Sequence, residues 1–180
     1  MNVCIETERL LIRPLQLADY EGMFVMDSDP EVHKYVGKNP VQTKEHIKEV
    51  ISFVRQQYKD HGIGRWAVIE KASNEFAGWV GFKYMAGPIN QHSNFYDFGY
   101  RFARRFWGMG YASEAGRAAL NHGIESLGFK DIYAMTDIDN GASRRVLEKL
   151  GFKYIETFDY DAEPGWRTEG QPTTWYKWMG

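Results

Sequence analysis

The run Arg104-Arg105-Phe106-Trp107-Gly108-Met109-Gly110-Tyr111-Ala112-Ser113-Glu114-Ala115 decides how the rest of the chain is read. It joins the exit of an aromatic strand, a turn with two glycines and the first turn of a helix. Upstream, residues 95–102 alternate Tyr96, Phe98, Tyr100 and Phe102 against Phe95, Asp97, Gly99 and Arg101, which is the period of two of a strand. Downstream, Ala112, Ala115, Ala119, Gly123 and Leu127 fall on one helical stripe and Glu114, Arg117, Asn121 and Glu125 on another. Gly108 and Gly110 let the main chain approach a ligand closely, and residues 108–112 can aim their N–H groups at one negative group. The stretch reads as an anion cradle.

Working outward toward the amino terminus, residues 7–14 predict a strand halted by Pro14. A helix over about residues 18–26 follows, and a shorter one opens at Pro30, a residue suited to a first helical position. Thr43 is the expected N-cap of a longer helix whose Ile47, Val50, Ile51, Val54 and Tyr58 form a buried stripe, closed by Gly62 and Gly64. Residues 65–70 and 75–85 read as strands, and residues 86–94 as a loop. Toward the carboxyl terminus, residues 131–137 predict a strand and residues 140–150 a short helix capped by Gly151. Strands at 152–158 and 173–178 flank a long loop at 159–172. The order gives an α+β class with a mixed sheet, not the strict alternation of a doubly wound domain.

The 180 residues suit a single domain, 1–180, with one core. A net charge of -2 and the lack of any run of about five like charges argue against nucleic acid or an anionic membrane as partner. With one cysteine, Cys4, an intramolecular disulfide is impossible, and the five histidines show no metal-ligand spacing, so no metal is expected. No segment approaches the roughly 18 apolar residues of a membrane span, and no secretion signal is visible. A soluble, cytoplasmic chain is the expectation.

Together these motifs resemble the GNAT acetyltransferases, in particular their RimJ/RimL-type branch. Arg105 to Gly110 fits the family signature Arg/Gln-x-x-Gly-x-Gly/Ala, and Tyr111-Ala112-Ser113-Glu114-Ala115 continues it as in that branch. Thr7-Glu8-Arg9-Leu10 with Arg13-Pro14-Leu15, then Ser28-Asp29-Pro30-Glu31-Val32, is similar to the branch's opening. Asn140-x-x-Ser143 with Leu147-Glu148-Lys149-Leu150-Gly151-Phe152 is similar to its close. The resemblance implies a central, mostly antiparallel twisted sheet of about seven strands flanked by helices, with a splayed strand pair holding CoA. It also implies acetyl-CoA as co-substrate, a small-molecule or peptide amine as acceptor, and a monomer or homodimer.

On that resemblance, the cofactor would be held by Phe102, Ala103, Arg104, Arg105, Gly108, Met109, Gly110, Tyr111, Ala112, Asn140 and Ser143, with a strand N–H at Phe102 or Ala103 polarising the thioester. Asp97 stands where the branch commonly has a glutamate. It is either a base for the amine or a strand carboxylate paired with Arg101 or another cation. Asn140 is a cofactor or acceptor contact and also a helix cap, and Ser143 is a candidate proton donor to the leaving thiolate. The tyrosine that many family members carry four residues beyond Ser143 is Leu147 here. Trp66, Trp79, Tyr84, Trp166 and Trp175 are the aromatic candidates for the acceptor pocket, with core packing as the alternative for each. Asp159, Asp161 and Glu163 are candidates for attracting a cationic acceptor. A CoA-binding sensor without acetyl transfer is the alternative function.

Overall fold

The structure, a computed structural model, describes residues 3–160 and 172–180. Among these residues the strands are β1 (Ile5–Glu6), β2 (Leu10–Pro14), β3 (Arg65–Glu70), β4 (Glu75–Met85), β5 (Phe95–Phe102), β6 (Ile132–Asp137), β7 (Phe152–Asp159) and β8 (Pro172–Trp178). They form one sheet in the order β1-β2-β3-β4-β5-β6-β8-β7. That is eight strands against the seven or so expected. The additional one is the two-residue β1, too short to leave a periodic signal, so Thr7 to Arg9 is a turn and the strand begins at Leu10. Every neighbouring pair is antiparallel except β5 with β6.

The helices are α1 (Tyr20–Asp27), α2 (Pro30–His33), α3 (Lys44–Asp60), α4 (Tyr111–Asn121) and α5 (Gly141–Lys149). Both predicted N-caps are made, Thr43 accepting from the His46 N–H and Asn140 from the Ser143 N–H, and Asp29, not foreseen as a cap, accepts from the Glu31 N–H. A cap of this kind is worth roughly 1 kcal/mol. Helix α4 buries Tyr111, Ala115, Gly116, Ala119 and Leu120 and then continues as a π-helical turn over His122–Ser126.

The two faces of the sheet are covered by different helices. Gly22 of α1 lies against Phe76, and Asp27 at the end of α1 reaches Arg101 on β5. On the other face, Gly123 lies against Phe82, and Gly116 of α4 against Leu150 at the end of α5. The small residues of the α4 stripe therefore set how close the helix comes to its neighbours. The register of β3 against β4 slips between Val68↔Gly78 and Ile69↔Phe76, so Ala77 is the extra residue of a bulge. The slip returns Phe76 to the α1 face.

The feature that positions the site is the short pairing of β5 with β6, limited to Tyr96↔Ile132 and Asp97↔Tyr133. Beyond Asp97 the two strands part. The Ala103 N–H donates to Ala77 O at 2.9 Å, and the Tyr96 N–H donates away from β4, to Asp131 O, at 2.9 Å. By antiparallel alternation, odd-numbered residues of β5 bond to β4, so the Asp97↔Tyr133 pair engages the Phe98 N–H, and the main-chain groups of Tyr100 and Phe102 face the gap.

Candidate active site

The gap leads into the glycine turn. Gly108 and Gly110 take φ of 75° and 80°, in the left-handed region. A Cβ on Gly108 would meet nothing within 4 Å, and one on Gly110 only Arg9 Nη2 at 3.5 Å, so backbone conformation and not crowding selects glycine here. The Ser113 and Glu114 N–H groups bond to Gly110 O, whereas the N–H groups of residues 108–112 have no partner among the described residues. These are the donors expected of an anion cradle.

The flanking arginines differ. Arg105 pairs with Glu75 at 3.2 Å and lies over the Phe106 ring, whereas Arg104 is exposed and has no ion-pair partner among the described residues. Tyr111 turns its side chain inward to donate to Glu70, so only its main chain faces the cradle. An open cleft of about 500 Å³, lined by Val25, Asp29, Ala103, Arg104 and Arg105, adjoins the turn on the α1 side.

One expected donor is corrected. The Ala103 N–H is already bonded to Ala77 O, and the Ala103 carbonyl accepts from the Phe106 N–H at 2.9 Å. The donors toward the gap are the N–H groups of Tyr100 and Phe102, since the Phe98 N–H makes the last rung of the β5–β6 pairing, while the Phe102 carbonyl takes a bond from Trp107 Nε1 at 2.8 Å. Which residues of a strand face a gap depends on its pairing with the next strand, and pairing leaves no trace in composition.

Across the gap, Asn140 and Ser143 open α5. The Asn140 side-chain oxygen accepts from the Ser143 N–H at 3.1 Å, which leaves its NH2 group without a partner among the described residues. Tyr100 reaches from β5 to this helix. Its hydroxyl lies 3.0 Å from the Ser143 carbonyl oxygen and 3.0 Å from Ser143 Oγ, and either hydroxyl can donate in the second contact. Burial pushes the Tyr100 phenol well above its ordinary range, so it stays protonated at any physiological pH. Leu147 is buried one turn further along α5. The phenol beside Ser143 therefore comes from the strand and not from the helix.

On the α1 face, Asp97 is held by Arg65, whose Nη2 lies 2.5 Å from Asp97 Oδ2 and whose Nη1 donates to Gly81 O at 2.5 Å and to Asp97 O at 2.9 Å. Arg101, the named partner in the sequence reading, instead bonds Asp27 at 2.7 Å. Burial works against the Asp27 charge, yet Arg101 beside it, with His33 at 3.7 Å, holds its carboxyl below the usual carboxylate range. Both guanidiniums lie by the Trp79 ring, at 5.2 and 5.3 Å from its centroid. Arg65 escaped the sequence reading, although a signal existed. Its cross-strand neighbours are Gly81 and Gly99, and a Cβ on Gly99 would stand 3.1 Å from Arg65 Nη2. Two glycines in adjacent strands leave room for one long side chain to lie over them.

The aromatic candidates do not form one wall. Trp66 and Trp175 are 0% exposed and belong to the core. Trp66 packs against Phe82 and His122 on the α4 face, whereas Trp175 stacks on Tyr133 in a second aromatic cluster with Phe95. Tyr84 lies against Tyr96 and His61 and bonds Asn94, on the face opposite Trp79. Of the described candidates, Trp79 and Trp175 share the face of Asp97, and Trp175 is buried in its own cluster there. Trp166, Asp161 and Glu163 lie outside the described residues, and Asp159 is exposed at the end of β7.

Residues 9–153 match the family model described as an acetyltransferase (GNAT) domain, which is most of the chain. The chain belongs to the GNAT acetyltransferase family. This GNAT enzyme is an acyltransferase. It is 32% identical over 152 residues to the uncharacterised protein YkkB of Bacillus subtilis (strain 168), covering 84% of this chain and 86% of that one. It is 30% identical over 173 residues to the FsC-acetyl coenzyme A-N(2)-transacetylase of Aspergillus fumigatus, covering 93% and 73%. Among solved structures, the GNAT-family acetyltransferase of Bacillus anthracis superposes with a TM-score of 0.77 at 29% identity, over 97% of both chains. A RimL ribosomal L7/L12 α-N-protein acetyltransferase in complex with coenzyme A superposes at 0.80 over 97% of both chains. At 16% identity this likeness speaks for the fold alone. Among the described residues no helix is long and apolar enough to cross a membrane.

Proposed function

We propose that this GNAT domain, residues 1–180, transfers an acetyl group from acetyl-CoA to a primary amine, a protein N-terminus or a small-molecule amine, by direct attack on the thioester. The observation that carries the reading is the parting of β5 from β6 beside a glycine turn whose five N–H groups at residues 108–112 have no partner among the described residues. A diphosphate suits that donor set, and a narrow polar arm suits a gap edged by strand N–H and C=O groups. Bound acetyl-CoA supplies an activated acyl group and a thiol leaving group.

The chain's own residues then divide the work. The cradle and Arg104 hold the anionic end. An N–H of Tyr100 or Phe102 takes the thioester carbonyl and the negative charge that grows on its oxygen. A single oxyanion donor of this kind is worth about 2.7–4 kcal/mol. Ser143, with the Tyr100 hydroxyl beside it, is the proton source for the departing thiolate, whose pKa near 8.5 makes this help modest. Asp97 belongs to the floor of the acceptor side, because its carboxylate is engaged by Arg65. An α-amine, with a pKa of about 7.7–8.0, is appreciably neutral near pH 7.5 and reacts without a dedicated base.

The test is release of free thiol from acetyl-CoA across a panel of N-terminal peptides and small amines, with CoA binding measured by calorimetry. Binding with turnover on at least one amine class is the expected result. Binding without turnover on the whole panel favours a CoA sensor, and no binding removes the reading.

A further inference from the structure

The amino-terminal turn between β1 and β2 is packed onto the cradle from about a hundred residues away. Arg9 Nε donates to Glu114 Oε2 at 2.7 Å and its Nη2 lies 2.5 Å from the same oxygen, while the Arg9 main-chain N–H donates to Glu114 Oε1 at 3.1 Å. Thr7 Oγ1 donates to Glu114 Oε1 at 2.6 Å. Arg9 Nη1 also donates to the carbonyl oxygen of Met109 at 2.9 Å, and its guanidinium lies over the Tyr111 ring at 4.6 Å.

Two consequences follow from peptide geometry and charge. The Met109 carbonyl and the Gly110 N–H belong to one planar trans peptide and point in opposite directions. Arg9, by drawing the carbonyl to itself, turns the Gly110 N–H toward the opposite side. Glu114 sits in the first turn of α4, where an uncompensated carboxylate would compete with a bound anion for the helix terminus and repel it. Burial works against the Glu114 charge, but the bonds from Thr7 and Arg9 outweigh it and keep the carboxylate ionised and paired.

We propose that Thr7 and Arg9 are positioning residues of the phosphate cradle: Arg9 orients the Met109–Gly110 peptide toward the ligand and cancels the Glu114 charge beside it. The proposal rests on reading residues 108–112 as the CoA diphosphate site.

The experiment measures CoA affinity by calorimetry, at low and moderate salt, for the wild type, Arg9→Met, Glu114→Gln and the double variant, with thermal midpoints recorded without CoA. Arg9→Met is expected to weaken CoA roughly tenfold, the effect of losing a charge-assisted bond. Glu114→Gln, which leaves Arg9 uncancelled, is expected to bind CoA no more weakly than wild type. In the double variant part of the Arg9→Met loss should return. If Arg9→Met binds like wild type, or if Glu114→Gln is as weak as Arg9→Met, the proposal is overturned; the second pattern marks a mere structural anchor. Should Arg9→Met fail to fold, Arg9→Lys keeps the charge but cannot span Met109 O and both Glu114 oxygens, and wild-type affinity in it would also overturn the proposal. Failure of the wild type to bind CoA counts instead against the cradle reading itself.

Discussion

Asp97→Asn separates a structural counter-ion from a catalytic base. The side chains of Asp97 and Arg65 are 14% and 13% exposed, with 2.5 Å between Oδ2 and Nη2. Asparagine keeps one acceptor oxygen but removes the charge, leaving a largely buried guanidinium with two main-chain carbonyls, Gly81 O and Asp97 O. Removing one partner of a buried pair costs about 3–5 kcal/mol. The retained acceptors bring the expectation here to about 2–3 kcal/mol. For a chain of this length each kcal/mol moves the thermal midpoint by about 2–4 °C, so a fall of about 4–12 °C is expected. Adding Arg65→Met removes the orphaned cation, and the double variant should be no less stable than Arg65→Met alone, a coupling that thermal and urea denaturation can measure. The pH–rate profile on an N-terminal peptide should keep its shape, because it follows the amine's own ionisation. An unchanged midpoint together with a rate loss of about a hundredfold or more, and a lost acidic limb, would refute this reasoning and make Asp97 the base.

Three further outcomes are expected. Gly110→Glu, which places a carboxylate and a side chain at φ 80°, should raise the CoA Kd at least about tenfold by calorimetry while far-UV circular dichroism stays native; unchanged affinity would assign the cradle to another ligand. Tyr100→Phe removes the hydroxyl bonded to Ser143 O and Oγ and should cost about 1–3 kcal/mol in stability, read by denaturation. The rate should fall more than the KM for acetyl-CoA rises, and an equal loss in Ser143→Ala and the double variant would mark the two hydroxyls as one unit. Tyr58 accepts from the Leu15 N–H and donates to Arg65 O, and burial pushes its phenol up to about 12 from an unfolded value near 10. Its contribution is complete below pH 10 and is lost as pH rises, because the unfolded chain releases this proton first. Stability should fall by about 1.4 kcal/mol per pH unit between 10 and 12 on this account, and flat stability across that window in Tyr58-intact protein would contradict it.

Much of the fold was legible because its signals are local. Thr43 and Asn140 announce helix starts through side-chain oxygens that reach donors three residues on, and Gly108 and Gly110 announce a turn because their φ values exclude most side chains. β1 was not legible, since two residues carry no period. The loop residues 86–94 and the strands on either side were, because alternation and turn chemistry coincide there. The site was legible only in its anionic half. The cradle is a continuous stretch, whereas the charged network of Asp27, Arg65, Asp97 and Arg101 is assembled from separate segments.

By itself, then, the sequence determined the longer elements, the caps at Thr43 and Asn140 and the glycine turn, all set by interactions among residues a few positions apart. Tertiary structure alone decided the pairings. Asp97 takes Arg65 and leaves Arg101 to Asp27, because Gly81 and Gly99 open a path for one guanidinium and the end of α1 delivers a carboxylate to the other. Likewise the aromatic candidates separate between two faces, and Arg9 meets Glu114 across more than a hundred residues. Side chains of a strand alternate between faces, so a one-residue bulge such as that at Ala77 redirects its neighbours. Which of two nearby arginines a carboxylate meets depends on that register, on the helix laid over it and on the space between, and these exist only once the chain has folded.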